Sequence, residues 1–242
     1  MHSKIPKEVK AVVTGAASGL GRAFCLKLAG PGARLVVADI DEEGGRETIK
    51  LAEELGAQCL YVSADVSKWD DVELLAVKAH EWLGSVDLLV NNAGVGVRGS
   101  LEKVSLEDWE WVMGINFWGV VYGCRAFIPG MKENQSGAII NIASLAGLAS
   151  APKMGPYNVS KAAVVSLSET LYAELVHSGV GVSVVCPSFF RTKIMESGRG
   201  DQPPKVRALV DRLMDKSKIQ APEVAQAALD AIFSGKLYVV PM

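Results

Sequence analysis

The sequence predicts a doubly wound α/β fold on three observations. Short runs rich in Val, Ile and Leu recur along the chain, segments with helical periodicity separate them, and a glycine-rich turn directly follows the first run. The runs cover residues 9–13, 34–38, 58–62, 86–90, 138–142, 181–186 and 237–240, and read as seven strands. They are continuously apolar rather than alternating, as expected of strands covered on both faces. Residues 41–55, 69–83, 106–131 and 157–177 carry the helical period, and a shorter helix opens over 22–28. Connections of this length suit right-handed crossovers, so the strands should run parallel.

With 242 residues, 49% hydrophobic and 21% charged, the chain has enough apolar surface for a core and is not disordered by composition. No composition break divides residues 1–242, which are expected to form one domain. The Pro/Gly-rich stretch 198–204 belongs to a loop over about 188–217 rather than to a linker. Lys plus Arg number 25 against 27 Asp plus Glu, and the net charge of −2 offers no basic field for nucleic acid or a membrane surface. No uncharged apolar run approaches the roughly 18 residues of a membrane span, and the N-terminal segment has no signal-peptide pattern, so a cytoplasmic setting is expected. Cys25, Cys59, Cys124 and Cys186 form no CxxC pair and are expected to be reduced thiols. His2, His80 and His177 lack ligand spacing, and no metal is predicted.

The turn Thr14-Gly15-Ala16-Ala17-Ser18-Gly19-Leu20-Gly21 joins the first strand to a helix. Glycines there accept positive φ and let the backbone approach a pyrophosphate, whose charge the free N–H groups of the helix end attract. Asp39 ends the second strand 18 residues past Gly21, where its carboxylate can accept from both ribose hydroxyls of an adenosine and repel a 2′-phosphate. NAD is therefore favoured over NADP. Asp39 could instead cap the helix after Ile40, a task equally open to Asp41.

Tyr157 and Lys161, four residues apart, share one face of a helix and can act on one bound molecule, although a core aromatic and a surface lysine would be spaced alike. Ser144, just past the fifth strand, can hydrogen-bond a substrate oxygen or cap a turn. Asn116 lies in the long helix and could bond a backbone carbonyl. Asn91-Asn92-Ala93-Gly94 reads as a strand-to-loop transition at the ligand-binding edge of the sheet, or as a tight turn.

In this order over residues 9–192, the TGxxxGxG spacing, Asn91–Gly94, Asn116, Ser144 and Tyr157-Asn158-Val159-Ser160-Lys161 resemble the short-chain dehydrogenase/reductase family, with its single Rossmann-type domain. The resemblance implies sheet order 3-2-1-4-5-6-7, Asp65 and Val66 beside the adenine, and Asn92, Ala93, Gly94 and Ile115 along the cofactor. It implies Lys161 on the nicotinamide ribose and Asn116 holding a water that links Lys161 to solvent. The implied reaction is reversible hydride transfer between NAD(H) and a secondary alcohol or ketone. Tyr157 moves the proton, its phenolate favoured by Lys161 and an oxidised nicotinamide, and Ser144 polarises the carbonyl.

Many members carry Pro-Gly after the sixth strand, where this chain has Pro187-Ser188. Pro187, the Phe190 backbone and the Thr192 hydroxyl are expected at the carboxamide. Val95, Val97, Leu145, Met154, Phe189, Phe190 and residues 194–215 are expected to line a mainly apolar substrate pocket. Arg191 and Arg199 could grip an acidic group or stand solvated. A homodimer or homotetramer is expected through the long helices, whose Val164, Val165, Leu167 and Leu171 could equally be internal core. Trp109, Trp111 and Trp118 are expected in the core or an interface. The alternatives are an NADPH-dependent carbonyl or 3-oxoacyl reductase of the same family and a non-catalytic NAD(H)-sensing module.

Overall fold

The computed structural model of the chain describes residues 8–188, 190, 198–200, 212, 214–215 and 217–241. The main strands are β1 (Lys10–Thr14), β2 (Arg34–Asp39), β3 (Gln58–Ser63), β4 (Leu88–Asn91), β6 (Gly137–Ile142), β7 (Val180–Val185) and β9 (Tyr238–Val239). They form a seven-stranded, wholly parallel sheet of order β3-β2-β1-β4-β6-β7-β9. Two further strands of two residues each, β5 (Val97–Arg98) and β8 (Arg199–Gly200), pair apart from it in parallel. Counted along its own members the large sheet has the expected order; β5 and β8, too short to show as hydrophobic runs, shift the labels.

Helices cover both faces. On one lie α1 (Gly19–Leu28), α2 (Glu42–Glu54) and α7 (Ala221–Phe233); on the other lie α3 (Trp69–Leu83), α5 (Gly119–Glu133) and α6 (Gly155–Leu175). Strand alternation explains the continuous apolar runs. Ala11, Val13, Leu35 and Val37 face Phe24, Leu28 and Leu229, while Val12, Val36 and Ala38 face the layer of Leu75, Phe127 and Val164. Phe24 and Phe127 are among the largest fully buried side chains, one on each face, and truncating either to Ala would cost about 3–5 kcal/mol.

The structure departs from the expected helices in two places. The segment 106–131 is not one helix but α4 (Leu106–Met113), a π turn (Gly114–Trp118) and α5. The π turn rotates the buried Asn116 so that its side chain pairs with both backbone groups of Val95, 21 residues earlier, a contact that residue spacing cannot signal. Helix α7 went unread, although Val224, Ala225, Ala228, Leu229 and Ile232 form its buried stripe and Gln220 with Glu223 closes a capping box. Val164, Val165 and Leu171 are buried in the chain's own core, and Leu167 packs partly buried against it. Trp118 is half-exposed beside Phe117 and Tyr122 and is not core. Among the described residues no helix is long and apolar enough to cross a membrane.

Candidate active site

The carboxyl ends of β1, β2, β4, β6 and β7 open onto a cleft of about 610 Å³. At one end lies the glycine turn. Gly15 has φ +63°, and a Cβ there would lie 2.7 Å from the Ala93 Cα. Gly21 is buried beneath the turn rather than on the cleft wall, because a Cβ would lie 2.1 Å from the Gly15 carbonyl oxygen; it sets how closely α1 approaches the turn. Gly19, at φ +53°, faces open space, and Ser18 starts α1 with no side-chain cap and no acid in the first turn. The free N–H groups of that helix end therefore suit an anion. Asn92 fixes the turn to β4, its Nδ2 donating to the Thr14 and Gly15 carbonyls at 2.9 and 3.0 Å, while Thr14 Oγ1 accepts from the Asn92 and Ala93 N–H groups.

Asp39 does not cap α2. Asp41 does, accepting from Gly44 N at 3.0 Å, while the Asp39 carboxylate accepts from Ala17 N at 2.8 Å and Asp41 N at 3.0 Å. One N–H on each oxygen leaves lone pairs directed to the cleft, whose wall it shares with Ile40. Arg22 points away, bonded to the Ala17 and Gly44 carbonyls, Thr48 and Glu47. Asp65 and Val66 continue this wall. Burial pushes the Asp65 carboxyl up, but hydrogen bonds from Ser67 and Lys68 outweigh it and hold the group below its ordinary range.

At the other end Ser144, Tyr157 and Lys161 share the wall with Ile115, Leu145 and Met154. Ser144 does cap a turn, Leu145–Gly147, accepting from Ala146 N at 3.1 Å; with that lone pair occupied, its hydroxyl proton remains to be donated. Ser144 also hydrogen-bonds Tyr157, which lowers the phenol pKa, but burial is the larger effect and leaves it raised. The lowering expected from Lys161 is absent: its Nζ stands over the tyrosine ring, 5.8 Å from the centroid, and donates to the Ile142 carbonyl at 2.9 Å. Burial brings Lys161 itself down to about 8, against a small opposing effect of Cys186, and burial likewise pushes the Cys186 thiol up to about 11.

Asn116 sits behind this wall. Its amide is taken up by Val95 N, Val95 O and Ser160 Oγ, and Ser160 in turn donates to the Tyr157 carbonyl. A Cβ on Gly94 would lie 3.3 Å from Asn116 Oδ1 and 3.4 Å from Lys161 Nζ, so both groups flank that glycine. Asn92, Ala93, Gly94, Val95, Pro187 and Phe190 line the cleft as expected, whereas Val97 is wholly buried. Phe189, Arg191, Thr192 and most of 194–215 lie outside the described residues. Sequence reasoning missed Arg98, which stands outside both the glycine turn and residues 194–215 and carries no local signal, because its place on the wall depends on β5 pairing with β8. Arg199 is part-exposed but not free: it pairs with Asp108 at 3.3 Å and lies over Trp111 at 4.0 Å.

Residues 9–203 match the family of short chain dehydrogenases. The 3beta-hydroxysteroid dehydrogenase 1 of Eggerthella lenta is 37% identical over 220 residues, 90% of this chain and 83% of that protein. A short-chain dehydrogenase/reductase from Burkholderia phymatum, solved in complex with NAD, superposes with a TM-score of 0.87 at 42% identity, covering 95% of this chain and 87% of that one. An alcohol dehydrogenase from Thermococcus sibiricus, complexed with 5-hydroxy-NADP, gives 0.82 at 27% identity, covering 96% and 94%. The glycine turn, the Ser144–Tyr157–Lys161 group and the match over most of the chain agree, and the chain belongs to the short-chain dehydrogenase/reductase family of oxidoreductases.

Proposed function

We propose that the protein transfers a hydride between NAD(H) and a mainly hydrophobic secondary alcohol or ketone, with Tyr157 as the general acid and base. The observation that carries this reading is the convergence of Ser144, Tyr157 and Lys161 at the end of the cleft opposite Asp39. The glycine turn, with its uncapped helix end and the open space at Gly19, fits a pyrophosphate, and the Asp39 carboxylate fits a ribose diol and disfavours a 2′-phosphate. A nicotinamide bound there would supply the hydride chemistry.

The chain's own residues handle the proton and the oxygen. Ser144 donates a hydrogen bond to the substrate oxygen, and Tyr157 gives its phenolic proton to that oxygen in reduction and takes it back in oxidation. The phenol stands high in the cofactor-free cleft, where Lys161 does not lower it; an oxidised nicotinamide bound there would supply the positive charge that brings it down for oxidation. Lys161 would also hold the nicotinamide ribose by a hydrogen bond. Asn116 acts from behind, as a positioning residue that fixes Val95 and, through Ser160, the Tyr157 turn of α6.

The same reading takes residues 1–242 as one domain in the cytoplasm, assembled as a homodimer or homotetramer. The exposed Trp118, Val159 and Tyr172 support that assembly.

The test follows NADH absorbance over a panel of secondary alcohols and ketones of graded size, with NADP(H) and Tyr157→Phe in parallel. The expected outcome is turnover with NAD(H) that falls about a hundred- to ten-thousandfold in Tyr157→Phe while NADH binding stays within about threefold. Near-normal turnover in that variant would overturn the proton-transfer role, and cofactor binding with no turnover across the panel would favour a sensing module.

A further inference from the structure

The two ends of the cleft differ in charge. Among the described residues, the acids on its wall are Asp39, Asp41 and Asp65, all at the glycine-turn end. Among the described residues, the wall near Ser144 and Tyr157 carries Lys161, Arg98 and Arg199 and no carboxylate. Two of these three cations are engaged, Lys161 by the Ile142 carbonyl and Arg199 by Asp108 and Trp111. The half-buried Arg98 guanidinium has no acceptor among the described residues. A smaller cavity of about 110 Å³ shares Arg98 and extends the same rim with Lys103 and Lys153; the nearby Asp108 and Glu102 are held by Arg199 and Ser100.

The backbone fixes where Arg98 stands. Val97 is wholly buried, so alternation along β5 turns Arg98 to the cleft. Gly200 of β8, at φ +90°, packs so close that a Cβ would lie 1.9 Å from the Arg98 carbonyl oxygen. On the other side Gly99 bridges Met154 and donates to the Lys153 carbonyl at 2.9 Å, immediately before α6 and Tyr157. Arg98 is four residues from Gly94, which adjoins Lys161 Nζ, so the Cα atoms of the two are at most about 14 Å apart. Arg98, Ser144 and Tyr157 line the same cleft, so a substrate seated in it can meet all three.

We propose that the alcohol or ketone substrate carries a carboxylate, which Arg98 grips through its paired N–H donors while the reacting oxygen meets Ser144 and Tyr157. This rests on the function proposed above. Among the described residues Arg98 is the unengaged cation on the cleft wall itself, and its planar pair of N–H donors matches the fork of a carboxylate; Lys103 and Lys153 stand further along the rim, in the smaller cavity.

Calorimetric titration of the NADH-loaded protein with octanoate and with octanamide, which differ in charge but little in shape, tests it. Octanoate is expected to bind more tightly. The acid-over-amide ratio should fall roughly ten- to a hundredfold in Arg98→Gln, recover in part in Arg98→Lys, and shrink as salt rises. Equal binding of the two probes, binding of neither, or a ratio unmoved in Arg98→Gln overturns the proposal. Repeating the titration without cofactor separates the two readings. Failure to bind NADH, or turnover indifferent to Tyr157→Phe, defeats the proposed reaction, whereas the acid-over-amide ratio answers for Arg98 alone.

Discussion

The glycine-turn end of the cleft and the Ser144–Tyr157 end are held together by opposite means. At the first, polar groups are matched: Asp39 accepts two N–H groups, Arg22 reaches four oxygen acceptors, and the Tyr61 hydroxyl donates to the Asp39 carbonyl. At the second, a buried lysine and a half-buried phenol both titrate away from their ordinary values, because desolvation disfavours their charged forms. The first end is at rest without a ligand, whereas the second carries an electrostatic cost in the free protein. Such a cost is what a reactive site demands and a binding cradle does not.

Removing the donor at the costly end should have the largest effect after Tyr157→Phe. Ser144→Ala is expected to lower kcat about a hundred- to a thousandfold, with NADH affinity little changed, in steady-state assays with the best substrate of the panel. A loss below tenfold would reduce Ser144 to a turn cap.

Lys161 tests the electrostatic half of the contrast. Its pKa falls from 10.5 to about 8 on folding, so between those values the unfolded chain binds more protons and stability rises with pH. Below about pH 8 the folded state bears the whole cost of the charged amine. Lys161→Met removes that cost, and its stability relative to the parent should drop by about 2–3 kcal/mol between pH 7 and pH 10, read from urea unfolding of the cofactor-free protein. A difference independent of pH would mean that the amine is not penalised by burial.

At the resting end, Asp39→Asn keeps an acceptor for Ala17 N and removes the charge. The preference for NADH over NADPH, from dissociation constants, should narrow roughly tenfold or somewhat more. Unchanged selectivity would take Asp39 out of the discrimination. The smallest effect is expected at Arg199, where a part-exposed ion pair and a ring contact hold β8 to α4. Arg199→Ala should cost about 1 kcal/mol or less in urea unfolding, and Arg22→Ala, with its four acceptors, more.

What the sequence determined by itself was whatever short-range periodicity encodes. Strands covered on both faces must be apolar throughout, so the seven-stranded parallel sheet was readable; a glycine turn between strand and helix, and a tyrosine four residues from a lysine, bring their groups together by local geometry alone. Tertiary structure decided the contacts between distant segments. Asn116 is turned to Val95 and away from the cleft by a π turn, and Asp41 relieves Asp39 of capping. Asp108, 91 residues from Arg199, takes up that guanidinium, while among the described residues none takes up Arg98 on the cleft wall. Arginines 98 and 199 look alike in the sequence. Whether a guanidinium is spent on a neighbour or kept for a ligand depends on which acid the fold brings within reach, and spacing along the chain does not carry that distance.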